Sequence, residues 1–335
     1  MEKLNVLVTG IGGPIAQGIL QGLKKRHDVR LIGADRRELT TGNQFCDEVR
    51  LIPPLSEREN YQSAILDIIE RDEIDAIFPC LHEEAEIYQQ FRHQLTIPVA
   101  LPTGHHGAEL LNKESVYQLM ETHHLHDYIP HYYGFNTKEE LLHIKEHHFP
   151  NHPYMVAKKV NGHGSLGYSV LMDRGDYLKA YQRGMQKAIN LEDYIDIDES
   201  SRRIAMEYID EPEYSVDVYI HEGQVITAVP RRRTGVSNGI VLDGIVEKHE
   251  ELIEAATEIS ESLVVSGFLN LQFMGKKLTD LNPRFCGSQV MSLGANVNFP
   301  ELFLQYEVLG EPVEVSPKWN TRMLRYRQSM FIHEE

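Results

Sequence analysis

Residues Asn5 to Thr9 read NVLVT and run directly into Gly10-Ile11-Gly12-Gly13-Pro14, then into IAQGILQGLKK. A β-branched run, a glycine turn and apolar residues at helical spacing predict strand, turn and helix. The unit recurs. VRLIGA, from Val29 to Ala34, predicts a second strand ending at Asp35, and Tyr61 to Arg71 has helical periodicity. AIFP, from Ala76 to Pro79, predicts a third strand, and a further helix leads to Ile97-Pro98-Val99-Ala100. Short strands alternating with helices imply right-handed crossovers on a parallel sheet. This lobe is expected to span residues 1–110.

From Tyr154 the period changes. YMVAKK, NGHGSLG and YSVLM predict strand, glycine loop and strand, a hairpin instead of a strand-to-helix turn. Tyr177 to Ala188 is expected to be helical. IAMEYI, YSVDVYI and GQVITAVP alternate or are β-rich, so an antiparallel sheet is expected. FLNLQFM and KKLTDLN form a predicted strand pair turning at Gly275, and Pro300 to Leu309 predicts a last helix.

The formal net charge of −17 argues against a nucleic-acid partner, because neutralising phosphates along a strand needs a basic footprint. It leaves small anions open, since a local cationic pocket can sit inside an acidic shell. No apolar run approaches the ~20 residues that span a bilayer. Cys46, Cys80 and Cys286 are far apart and lack zinc spacing. The chain enters its first strand without an apolar signal core, so a reducing cytoplasm is expected.

Three segments carry chemistry. Lys158-Lys159-Val160-Asn161-Gly162-His163-Gly164-Ser165-Leu166-Gly167 offers unobstructed backbone N–H groups and a lysine point charge, as phosphate oxygens require. It is not a Walker A motif, because no Lys-Ser/Thr and no helix follow it. A solvated hairpin would read the same way. In Asp280-Leu281-Asn282-Pro283-Arg284, strand alternation turns Asp280 and Asn282 to one face. A carboxylate and an amide oxygen there suit Mg²⁺, with Gln272 as a third oxygen, and Arg284 suits phosphoryl charge. A strand ending in an Asp-x-Asn-Pro turn is the plainer alternative. Met206-Glu207-Tyr208-Ile209, followed by Glu213, would provide an adenine edge and a ribose carboxylate, or simply a charged strand.

Taken in order, Lys113 after Leu111-Asn112, the GHGSLG loop, MEYIDEPEYSVDV, NLQF and DLNPRF resemble the ATP-grasp superfamily. The closest likeness is to the branch of the carbamoyl-phosphate synthase large subunit and biotin carboxylase, in a single-unit form. The resemblance runs from GIGGPIAQ to the last helix. It implies an α/β fold with a Rossmann-like pre-ATP-grasp domain at 1–110 and an ATP-grasp domain at 111–335, whose lid subdomain lies at about 153–208. Lys113 and Lys158 then match the ATP lysines. Gly162, His163, Gly164, Ser165 and Gly167 fall on the phosphate-covering lid loop, Glu207, Tyr208 and Ile209 on the adenine hinge, and Glu213 at the ribose. Gln272, Asp280 and Asn282 match the metal ligands, with Asp280 standing where Glu is usual. Arg284 matches the catalytic arginine.

The implied cofactors are ATP and Mg²⁺, with Mn²⁺ as a substitute. The implied activity is a ligase that joins a small-molecule carboxylate to an amine through an acyl phosphate. The alternatives are a bicarbonate-using, carbamoyl-phosphate-synthase-like enzyme or a nucleotide-binding protein with little turnover. Homodimers are common in such a superfamily, and no nucleic acid or membrane partner is implied. Alternation also places Arg231 and Arg233 on one face, where they are expected to hold a substrate carboxylate or the γ-phosphate, or else to blunt an edge strand. GIGGPIAQ falls short of the full GxGxxG fingerprint, so a dinucleotide is not expected.

Overall fold

The computed structural model describes residues 3–162, 167–197, 201–237, 239–326 and 328–332. It divides into two compact units: Met1–Leu111 with Glu213–Gln272 and Leu281–Glu335, and Asn112–Pro212 with Phe273–Asp280.

The first unit opens with β1 (Leu4–Thr9), α1 (Pro14–Leu23), β2 (Val29–Asp35), β3 (Glu48–Leu51), α2 (Arg58–Arg71), β4 (Ala76–Phe78) and α3 (His82–Phe91). The strands lie in the order β3-β2-β1-β4 and every pairing is parallel. A parallel sheet is covered on both faces, so its central strand must be apolar throughout. Val6 and Val8 enter one core with Ile19 and Leu20 of α1, while Leu7 between them enters a second core with Tyr61 and Ile65 of α2. Gly10 turns the chain after β1 at φ +60°, a conformation that favours glycine. The next loop amide, Gly12 N–H, donates to Asp35 Oδ2 at 3.0 Å, and Arg37 Nε donates to Asp35 Oδ1 at 2.9 Å. Buried Glu84 caps α3: its Oε2 accepts from Cys80 N and Leu81 N, each at 2.8 Å, and its Oε1 accepts from the Tyr61 hydroxyl. Burial pushes the Glu84 carboxyl up in pKa.

The second unit contains α4 (Lys113–Thr122), β5 (Tyr132–Phe135), α5 (Lys138–His147), β6 (Met155–Lys159), β7 (Tyr168–Met172), α6 (Arg174–Gln182), β8 (Ala188–Asn190), α7 (Leu191–Ile195) and β9 (Arg203–Glu207). Its sheet runs β5-β9-β6-β7-β8, with β6 and β7 the expected antiparallel hairpin. Thr137 and Glu140 form a capping box at the start of α5, whose Leu141 and Ile144 pack with Phe135, Met155 and Leu171. The helix expected to reach Ala188 stops at Gln182. Gly184, at φ +77°, ends it, and Ala188 instead opens a strand parallel to β7.

The chain continues with β10 (Glu213–His221), β11 (Gln224–Ser237), β12 (Ile240–Val246), α8 (Glu250–Leu263), β13 (Gly267–Met274), β14 (Lys277–Asn282), α9 (Val290–Gly294), α10 (Phe299–Phe303) and β15 (Thr321–Leu324), all in the first unit except Phe273–Asp280, the end of β13 and most of β14. The sheet order is β14-β13-β10-β11-β12-β15, and β10, β11, β12 and β15 pair antiparallel in succession. The last predicted helix covers the expected residues, but after Phe303 its turns widen from α into a π-helix over Leu304–Leu309, closed by Gly310 at φ +65°. Among the described residues no helix is long and apolar enough to cross a membrane.

At the end of α2, the nearly buried Asp72 receives Arg50 through two bonds, Nε at 3.0 Å and NH2 at 2.6 Å, and Arg71 NH2 at 2.9 Å. The Arg50 and Arg71 guanidinium groups hold its pKa down to about 2. A carboxylate depressed in the fold stabilises above its unfolded pKa and loses that stabilisation as pH falls toward its folded pKa. Asp72→Asn should therefore cost about 2 kcal/mol at pH 7, the depression expressed as free energy. In urea titrations the gap to wild type should narrow as pH drops from 4 toward 2.

Candidate active site

In the second unit, two lysines and a carboxylate meet at the base of the glycine hairpin. Asn112 caps α4 by accepting from Ser115 N at 3.0 Å, which fixes Lys113 as the first helical residue. Lys113 N–H donates to Val160 O at 2.9 Å and its Nζ to Gly162 O at 2.8 Å, tying helix to loop. The same Nζ stands 3.4 Å from Asp280 Oδ1. Lys158, on β6, is only 5% exposed and donates to the carbonyl of Thr279, the residue before Asp280. The Tyr117 hydroxyl donates to Leu278 O at 3.0 Å, so α4 also grips the strand that carries Asp280.

The loop leaves β6 and returns to β7 through glycines that need their conformation. Gly162 lies at φ +119° and Gly167 at φ +71°, and a Cβ on Gly167 would stand 2.6 Å from Lys159 Cγ. His163, Gly164 and Ser165 lie outside the described residues. At the end of β9, Glu207 Oε1 accepts from His131 N at 2.9 Å, so its carboxylate is engaged in holding the neighbouring strand. Tyr208 packs edge-on to Tyr154, with ring centroids 5.4 Å apart, and Ile209 follows half-buried as the chain leaves the strand.

Burial lowers the Lys158 pKa to about 8. The Lys113 charge adds to the lowering, and the Asp280 charge opposes it. A lysine that sheds its proton this easily gains most from an anion placed beside it.

The first unit holds the remaining candidates. Asn282 closes β14 and Arg284 follows it, 6% exposed. Arg284 NH1 donates to Phe285 O at 2.8 Å and its NH2 to Asn282 Oδ1 at 3.4 Å. Gln272 lies half-buried on β13. The two arginines expected on one face differ in their surroundings. Arg233 pairs with Glu213, the expected ribose carboxylate, and donates to Gly239 O at 3.3 Å. Arg231 is fully buried against Asp217 and Ser288. Arg325 NH2 donates to Gly287 O at 2.8 Å, in the same segment. Sequence reasoning gave Asp217, Ser288, Asn270 and Ser292 no role. The signal for Asp217 was available: it is a lone acid in the apolar strand YSVDVYI.

Residues 199–329 match the family model described as "ATP-grasp in the biosynthetic pathway with Ter operon", and residues 6–99 match "PylC-like, N-terminal domain". No curated protein matches the chain. Solved structures do. N5-carboxyaminoimidazole synthetase from Staphylococcus aureus complexed with ADP aligns at TM-score 0.69 and 14% identity, over 95% of this chain and 81% of that one. Biotin carboxylase from Campylobacter jejuni in its β,γ-ATP complex aligns at 0.68 and 19%, over 95% and 74%. L-amino acid ligase from Bacillus licheniformis aligns at 0.62 and 14%, over 95% and 78%. The chain has the fold of these structures, and its residues 199–329 carry the ATP-grasp family pattern.

The causes assigned to the Lys158 shift can be tested with ¹³Cε-lysine NMR. Lys158 should titrate near pH 8, well below an ordinary lysine at about 10.4. Asp280→Asn should move it lower and Lys113→Met higher. The reverse order would show that the two charges have been assigned wrongly.

Proposed function

We propose that this chain is an ATP-dependent carboxylate–amine ligase. The observation that carries the reading is the buried Lys158 beside Lys113 and Asp280 at the base of a glycine hairpin: a cationic phosphate cradle in a chain of net charge −17. Relatives of the same fold crystallised with ADP or an ATP analogue support a nucleotide there.

In this reading Lys113 and Lys158 bind phosphate oxygens of ATP, and the loop from Gly162 through His163, Gly164 and Ser165 to Gly167 covers them. Glu207, Tyr208, Ile209 and Glu213 are assigned to adenine and ribose. Gln272, Asp280 and Asn282 would hold Mg²⁺, and one carboxylate with two amide oxygens is a hard donor set suited to it. When bound, the metal neutralises phosphate charge. A carboxylate oxygen of the acceptor attacks the γ-phosphorus in line, the bond to ADP breaks, and an acyl phosphate forms. Arg284 holds the charge that develops on the transferred group. The amine then attacks the acyl carbon, phosphate leaves, and an amide results. The chain needs no nucleophile of its own for either step. Lid closure excludes the water that would hydrolyse the intermediate. A reducing cytoplasm fits the three free thiols.

Phosphate release from ATP, assayed with pooled carboxylates and amines, should require one of each. Release that needs only bicarbonate would replace ligation with carboxylation. Lys158→Ala and Asp280→Ala should each lower turnover by about 10²-fold or more, the usual cost of losing a preorganised charge partner. Intact turnover in both would remove these residues from the site.

Phosphates beside Lys158 favour its charged form, so binding raises its pKa and takes up a proton. ATP affinity should weaken as pH rises through about 8, with proton uptake near that pH. Calorimetry in buffers of different ionisation enthalpy reads both, and Lys158→Arg should abolish the pH dependence.

A further inference from the structure

Arg231 and Asp217 form an ion pair sealed from water: both side chains are 0% exposed and Arg231 NH2 stands 2.5 Å from Asp217 Oδ1. Such a pair is a poor source of stability. Stripping water from two ions offsets most of their attraction, and apolar residues of similar volume often do as well. What distinguishes this pair is what it holds.

Asp217, on β10, accepts from Asn270 Nδ2 of β13 at 2.9 Å and from Ser292 Oγ of α9 at 2.7 Å. Arg231, on β11, donates through NH1 to Ser288 O at 2.9 Å and Ser288 Oγ at 2.7 Å, and its NH2 faces Cys286 Sγ at 3.3 Å. One pair thus ties three strands to residues 286, 288 and 292. This segment starts two residues beyond Arg284, and no sheet ladder or regular helix fixes it before Val290. Arg284 donates to Phe285 O at 2.8 Å, the carbonyl immediately before that segment, and to Asn282 Oδ1 at 3.4 Å on its other side. Its guanidinium direction therefore depends on where the clamped segment lies.

We infer that the Asp217–Arg231 pair is a positioning device. It fixes the segment behind Arg284, so that Arg284 stays oriented for the transferred phosphoryl group, and Arg231 itself touches no substrate. The inference rests on the nucleotide reading above. Lysine cannot replace Arg231 fully, because an ammonium lacks the planar fork that reaches Asp217 and both Ser288 atoms at once.

The test compares wild type, Arg231→Met, Asp217→Leu, the Arg231→Met/Asp217→Leu double variant and Arg231→Lys. Thermal midpoints and affinities for ADP and for AMPPNP, both with Mg²⁺, are measured on each. Each single apolar variant strands a buried charge and should lose stability, whereas the double variant should recover it. The double variant and Arg231→Lys should bind ADP as wild type does, yet lose about tenfold in their preference for AMPPNP over ADP, the worth of one charge-assisted hydrogen bond. Arg231→Lys keeps the test open should the apolar variants fail to fold. Folded variants that retain the wild-type preference would show that the pair is merely structural and overturn the inference. A wild type that binds ADP but lacks the preference would overturn it as well. A wild type that binds neither nucleotide would instead sink the nucleotide reading itself.

Discussion

Positive charge kept out of water is the constraint on which the rest of this molecule depends. Lys158, Arg231 and Arg284 are each nine-tenths buried or more. A lone cation in such a place is expensive, so each must be compensated or leave a mark on its own chemistry. Arg231 is compensated outright by Asp217. Arg284 donates to the Phe285 carbonyl and to the Asn282 amide oxygen. Lys158 has a carbonyl and a carboxylate nearby, and that carboxylate also faces Lys113, so burial still draws its pKa down to about 8. Full neutralisation suits a group that holds structure, as in Arg231, whereas the shared Asp280 leaves Lys158 only partly neutralised.

The backbone around the lysines answers the same constraint. The loop leaves and rejoins the hairpin through Gly162 and Gly167 at positive φ, a conformation that favours glycine. The loop must also be referenced to something rigid. Lys113 provides that reference twice, through its own amide to Val160 and through its ammonium to Gly162, from the first turn of a helix capped by Asn112. Tyr117, one turn further on, holds the carbonyls ahead of Asp280. One short helix therefore sets both the loop and the acid.

Much of this was legible in the sequence, and the rest has physical reasons for being hidden. The parallel lobe was readable because buried central strands are apolar at every position, as Val6, Leu7 and Val8 are. The hairpin was readable because glycines between two β-rich runs have few other uses. The end of α6 was misread because Gly184 breaks a helix by backbone conformation while periodicity continues past it. Arg231 was placed on the correct strand but could not be distinguished from Arg233, since alternation gives a face and not the partner on it. Asp217 supplies that partner from 14 residues away, and the pairing is fixed by the β10–β11 register. Side-chain networks of this kind are set by tertiary neighbours, which no local pattern encodes.

Net charge and local charge then act on different scales. A net charge of −17 over the whole chain disfavours an extended polyanion, whose many phosphates would meet the whole exterior. Lys158 and Lys113 lie together in a low-dielectric setting, which strengthens their pull on any small anion placed beside them. The pull on a small anion persists only while Lys158 and Lys113 are not fully neutralised. Asp280 is shared between the two lysines, and Asp217 is spent wholly on Arg231. With Asp280 divided between two lysines, the pair Lys158 and Lys113 keeps a net positive charge inside an acidic protein.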